Sequence, residues 1–142
     1  EVFHEFFFKR YKILFDSIHS HGWHGILHSC GKVNDFVPFF IDAGADVLNL
    51  QQPRAYGIQE LGSQFAGKVC FLTTVDIQAT LPKNNHAEIK KEAEELAQNW
   101  SKPEGGFIVF NYGDSESIGV SNDITEVMFK EFYHLRNYWN NK

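Results

Sequence analysis

Four short apolar runs, each followed by a helix-length segment, constrain this chain more than any other feature. They are Trp23 to His28, Ala45 to Leu50, Val69 to Val75 and Phe107 to Phe110. Their residues are near-continuously apolar rather than alternating, the pattern of strands in a sheet that helices cover. Ahead of the first run, Phe3, Phe7, Tyr11, Leu14, Phe15 and Ile18 recur at helical spacing over 2–21, and Gly22 supplies the stop. Helices are also predicted over 33–43, closed by Gly44, over 54–65 after Pro53, over 85–100, and at the C-terminal end behind a cap at Ser121 or Asn122. No hairpin turn joins any two runs. Parallel strands need crossover connections, so the order is one helix and then four βα units around a parallel sheet.

Two α/β architectures fit that order. One is a small doubly wound sheet; the other is half of a (β/α)8 barrel, which takes about 250 residues when whole. At 142 residues, 43% of them hydrophobic, the chain supports one core and not two large domains. A net charge of −5 argues against nucleic acid or an anionic membrane as the main partner. No apolar run approaches the roughly 18 residues of a membrane span. Two cysteines, Cys30 and Cys70, are too few for a disulfide scaffold, so a reducing cytoplasm is expected. Glu1 is not an initiator methionine, and the start reads as a cut or processed boundary.

Polar residues gather where the runs end. His28, Cys30, Asn49, Gln51, Asp76, Gln78, Asn111, Tyr112 and Asp114 all fall at or just past a strand's C-terminal end. Both architectures place their active sites there, so a small-molecule site is expected at that rim. His28 and Cys30 bring an imidazole and a thiol within two residues of each other. They could share a cation, with zinc suited to mixed nitrogen and sulfur ligands. They could equally be a packed thiol beside a hydrogen-bonded histidine. A metal would need a third ligand from Asp76, Asp114 or His24, because Cys70 begins its strand at the opposite end. His24 shares the parity of His28 and reads as an interior histidine. Asp76 suits a general base, a metal ligand or a loop anchor that binds backbone N–H groups. Tyr112 and Asp114 offer a phenol and a second carboxylate, or simply the entry to the last helix. Arg54 could clamp a substrate carboxylate or lie solvated at the surface. Phosphate-cradling glycine motifs and a nucleophile elbow are absent.

Several of these stretches together resemble a known group. His28-Ser29-Cys30-Gly31-Lys32-Val33-Asn34-Asp35, the segment Ala43 to Asn49, Val75 to Gln78 with Leu81-Pro82, and Gly105 to Ile108 are similar to the uroporphyrinogen decarboxylase superfamily. That superfamily holds the tetrapyrrole decarboxylase and the methyltransferases that move methyl groups between corrinoid proteins and thiols. The resemblance implies the C-terminal half of a TIM (β/α)8 barrel, strands five to eight with one preceding helix. It also implies that residues 1–142 are one partial domain whose partner is the missing N-terminal half.

In the methyltransferases, His-x-Cys and a later cysteine bind zinc, which activates the acceptor thiol; His28 and Cys30 match the first two ligands. Where the later cysteine would stand, this chain has Asn111-Tyr112-Gly113-Asp114, leaving Asp114 or Asp76 to complete the set. The decarboxylases lack His-x-Cys-Gly and carry Gly-His-Gly in the last loop, where Gly113-Asp114-Ser115 stands here. The resemblance therefore favours a metal-assisted methyltransferase with zinc at His28 and Cys30 and a corrinoid, carried by a partner protein, as methyl donor. Asp76, Tyr112 and Asp114 are its expected catalytic groups; Asn49, Gln51, Arg54, Gln78 and Asn111 would bind substrate. Decarboxylation of a tetrapyrrole acid is the runner-up, and an inactive corrinoid- or ligand-binding module the third reading.

Overall fold

In the computed structural model, which describes residues 2–141, helices and strands alternate along the chain. Helix α1 (Lys9–Ser20) is followed by β1 (Ile26–Ser29), α2 (Val37–Ala43), β2 (Val47–Leu50), α3 (Pro53–Tyr56) and α4 (Ile58–Phe65). Then come β3 (Cys70–Thr73), α5 (His86–Trp100), β4 (Phe107–Val109) and α6 (Asn122–Leu135). The four strands form one parallel sheet in the order β1-β2-β3-β4. A doubly wound sheet reverses its strand order at a switch point. Sequential order with right-handed crossovers instead lays the helices on one face, as in a barrel. The fold is a partial (β/α)8-barrel-like arrangement.

Register explains which side chains are covered. Leu27, Leu48, Phe71 and Phe107 stand abreast across the sheet. Phe71 meets the Trp100 ring of α5 at 4.5 Å and Phe107 meets Phe132 of α6 at 6.0 Å, so this row faces the helices. The next row, His28, Asn49, Leu72 and Ile108, faces the other way, as do Ile26, Val47 and Cys70. Ile26 is 59% exposed and Ile108 47%, so the outer strands are uncovered on that face. In a barrel, that face turns to the axis.

Several boundaries differ from the sequence reading. Trp23 is exposed and β1 starts only at Ile26, because Gly25 donates its N–H to Asp46 at 2.7 Å before the strand begins. His24 is consequently not an interior histidine: its side chain is 83% exposed, 3.6 Å from Asp46. The expected helix over 54–65 is two helices, broken at Gly57, whose φ of +77° no helix accommodates. The first helix opens as a π-helical turn over His4–Phe8. Asn34–Phe36 is a 3₁₀ turn, and Pro38 then occupies the first turn of α2, where its missing N–H costs nothing. No helix among the described residues is long and apolar enough to cross a membrane.

Asp46 ties α1 to the sheet. Burial alone would raise its pKa, but the Gly25 N–H, the His19 hydrogen bond at 2.8 Å and the His19 charge outweigh burial and hold it below the usual carboxylate range. A carboxyl group depressed in the folded state stabilises the fold above its ordinary value of 3.8, and this contribution fades as pH falls through the folded pKa. Stability should therefore decline from about pH 5 downward, and Asp46→Asn should flatten the decline. Urea titrations of both proteins across that range decide it; parallel curves would remove Asp46 from the cause.

Candidate functional site

At the C-terminal end of β1, His28 stands opposite Asn49 of β2. The pleat sends both side chains to the open face, and His28 Nδ1 lies 2.6 Å from Asn49 Oδ1. The amide's orientation is fixed by its other contacts. Asn49 Nδ2 donates to the Leu72 carbonyl at 3.2 Å, which leaves Oδ1 as the acceptor, and Gln51 Nε2 also donates to it at 3.3 Å. His28 Nδ1 must therefore carry a proton, so in the neutral ring Nε2 holds the free lone pair. That nitrogen points at Cys30 Sγ, 3.4 Å away. His28 and Cys30 are exposed while Asn49 is buried, which places the pair at the rim on a fixed support.

Two neighbours hold the loop that carries Cys30. Gln52 Oε1 accepts the Gly31 N–H at 2.7 Å, and the Tyr56 hydroxyl donates to the Ser29 carbonyl at 3.4 Å. Gly31 has a φ of +73°, the left-handed conformation that turns the chain directly behind the thiol. Burial first, then the electrostatic influence of neighbouring Cys30 and Asp76, pushes the Tyr56 phenol well above its ordinary value, so it remains a donor.

The other expected site residues sit differently. Asp76 is 1% exposed, and its carboxylate accepts the N–H groups of Arg54, Gln78 and Ala79 at 2.9, 2.8 and 2.7 Å. It is the loop anchor of the three readings, with its oxygens occupied and no access to a reacting proton. Arg54 does not reach the open face. Its Nε and Nη1 donate to Glu92 and Glu95 of α5 at 2.7 and 2.8 Å, and those carboxylates, against the pull of burial, raise its pKa further. Gln78 is exposed and contributes its backbone N–H to Asp76. Asn111 and Asp114 are exposed and Tyr112 is half-buried. Asp114 accepts the Ser117 N–H at 3.3 Å, the contact of a helix-entry residue.

The structure thus brings His28, Cys30, Asn49 and Gln51 together and leaves the expected third ligand unfilled. Among the described residues no three His, Cys, Asp or Glu side chains are placed to share a metal ion. Asp76 is consumed by backbone, and Asp114 stands exposed in its own loop, apart from the His28–Cys30 pair. Cys70 is half-buried at the start of β3, and burial raises its thiol pKa.

A family model described as uroporphyrinogen decarboxylase (URO-D) matches residues 1–132. The chain belongs to the uroporphyrinogen decarboxylase family. Searches for a similar curated protein and for a similar solved structure found no significant match. Within this family member, Gln52, Tyr56 and Glu92 support the site; Gln52 is legible in the sequence only as one of the amides of Gln51-Gln52-Pro53-Arg54, and Tyr56 and Glu92 are not among the expected site residues. Glu92 had a legible signal: it shares the apolar face of α5 with Ile89, Leu96 and Trp100, an unusual place for a carboxylate.

Proposed function

We propose that this uroporphyrinogen decarboxylase family member is a metal-assisted methyltransferase of the corrinoid-to-thiol type, with zinc held by His28 and Cys30. One observation carries the reading. Zinc bonds nitrogen at about 2.0 Å and sulfur at about 2.3 Å, so two such ligands at a tetrahedral angle stand about 3.5 Å apart. His28 Nε2 and Cys30 Sγ are 3.4 Å apart, close to that separation. Asn49 supplies the acceptor that metal-bound histidines usually have on their second nitrogen.

When bound, zinc would hold an acceptor thiol as its thiolate. The chain's own residues do the preparatory work. Asn49 fixes the ring and its tautomer, Gly31 turns the loop away behind Cys30, and Gln51 presents an amide beside Asn49. The remaining coordination positions fall to solvent, substrate or groups beyond these residues. A corrinoid presented by a partner protein is the methyl donor in this reading, and a small thiol the acceptor.

Protein purified without chelators should contain about one zinc per site, lost in Cys30→Ser and His28→Ala and kept in Cys70→Ser. It should also move the methyl group of methylcobalamin to a low-molecular-weight thiol, and Cys30→Ser should abolish that transfer. Metal-free protein with its thiols intact would overturn the proposal.

A further inference from the structure

We propose that Gln52 is the positioning residue that fixes Cys30 against His28, acting through the backbone N–H of Gly31. This rests on the reading of His28 and Cys30 as a donor pair.

Gln52 immediately precedes α3, at the position whose side chain ordinarily caps the helix, yet it makes no capping bond. Pro53 follows and has no N–H to satisfy. The next donor, the Arg54 N–H, is taken by Asp76 Oδ2 from the loop after β3 at 2.9 Å. The capping work is therefore done by a neighbouring loop, and the Gln52 amide is released to point the other way. It reaches 21 residues back along the chain, where Oε1 accepts the Gly31 N–H at 2.7 Å. Gln52 itself is only 8% exposed, so this bond forms away from competing water.

The chemistry fixes the amide's orientation, because a backbone N–H can only donate and the oxygen must face it. Gly31 adjoins Cys30 and lies past the end of β1, beyond the last residue paired with β2. No ladder bond holds it there. Its φ of +73° lets the backbone turn, and nothing within 4 Å would fill the space of an added side chain. At Gly31 itself the grip on the loop comes from Gln52. Without it the loop keeps the Ser29–Leu50 strand pairing, the longer bond from Tyr56 to the Ser29 carbonyl at 3.4 Å and, three residues on from Gly31, the Asn34 amide's bond to the Tyr56 carbonyl at 2.7 Å, none of which acts on Gly31 itself. The 3.4 Å separation of the donor pair is thus set from the β2 side, by a residue that touches neither donor.

The test compares the full chain with Gln52→Met, which keeps the length and removes the acceptor, and with Gln52→Glu, which keeps the acceptor. Gln52→Asn, whose amide is one methylene too short, is the second variant should methionine prevent folding. Amide hydrogen exchange at Gly31 should speed up at least tenfold in Gln52→Met or Gln52→Asn and stay slow in Gln52→Glu. Zinc affinity by chelator competition should fall about tenfold in the first two, the lower end of what outer-shell changes cost. The visible spectrum of the cobalt(II) form should change with it, and the glutamate variant should recover both. Unchanged Gly31 exchange in a folded Gln52→Met protein overturns the inference. So does an affinity loss matched by an equally destabilised variant altered elsewhere. If the wild-type protein binds neither zinc nor cobalt, the proposed function falls on its own. Gly31 exchange together with the rate of Cys30 alkylation then decides the role of Gln52: both altered supports it, and either unaltered overturns it.

Discussion

Replacing Glu92 with alanine is expected to destabilise the protein by about 3 kcal/mol. The side chain is fully buried on α5. Its Oε1 accepts the Asp76 N–H at 2.7 Å, while Oε2 accepts Arg54 Nε at 2.7 Å and the Thr80 hydroxyl at 2.5 Å. Alanine would leave a buried N–H and a buried hydroxyl without partners, each costing about 1–3 kcal/mol. The Arg54 contribution is smaller, because that side chain is 38% exposed and keeps Glu95. Glu92→Gln should cost less, since its oxygen can still serve the Asp76 N–H. Urea denaturation measures the order Ala, then Gln, then wild type. An alanine variant within about 0.5 kcal/mol of wild type, the range of ordinary surface changes, would show that the network stores no stability.

That network explains why part of the site was legible in the sequence and part was not. The four βα units were readable because each strand is a near-continuous apolar run with one row, Leu27, Leu48, Phe71 and Phe107, packed beneath the helices. The strand ends were readable for the same reason, since polar residues there interrupt the apolar runs. His28 and Cys30 owe their placement to spacing within one segment. The role of Arg54 is set by Glu92, 38 residues further on, and that of Asp76 by the N–H groups of Arg54, Gln78 and Ala79 that its carboxylate accepts. Nothing local tells a loop-anchoring aspartate from a base, or an arginine pinned to α5 from a substrate clamp. Asn49 was expected to bind substrate. Its work on the His28 ring comes from the β1–β2 register, which pairs the two residues and which no single strand encodes. His24 failed for a related reason: parity arguments hold only inside a strand, and β1 begins two residues later.

A second large effect is expected at the seam between α4, α5 and β3. Trp100 is fully buried, packs its ring at a tilt against Phe71 of β3 at 4.5 Å and donates its indole N–H to the Ile58 carbonyl at 2.8 Å. Trp100→Ala would open a cavity and remove that hydrogen bond, at a cost of about 3–5 kcal/mol. At this chain length that lowers Tm by roughly 10 °C. The seam cannot close over the cavity from α4, because backbone already meets backbone there. A Cβ added at Gly62 would stand 2.4 Å from the Asn99 carbonyl oxygen and 3.0 Å from Trp100 Cδ1. Trp100→Phe retains most of the ring and loses only the hydrogen bond, so about 1–2 kcal/mol is expected. The seam lies on the helix face of the sheet and the His28–Cys30 pair on the other. Trp100→Phe should therefore lower Tm while leaving zinc affinity within about twofold, the reverse of Gln52→Met. Calorimetry and chelator competition on the same preparations separate the two outcomes. A parallel loss of affinity and stability in Trp100→Phe would mean that the donor pair depends on the whole helix layer rather than on the loops beside it.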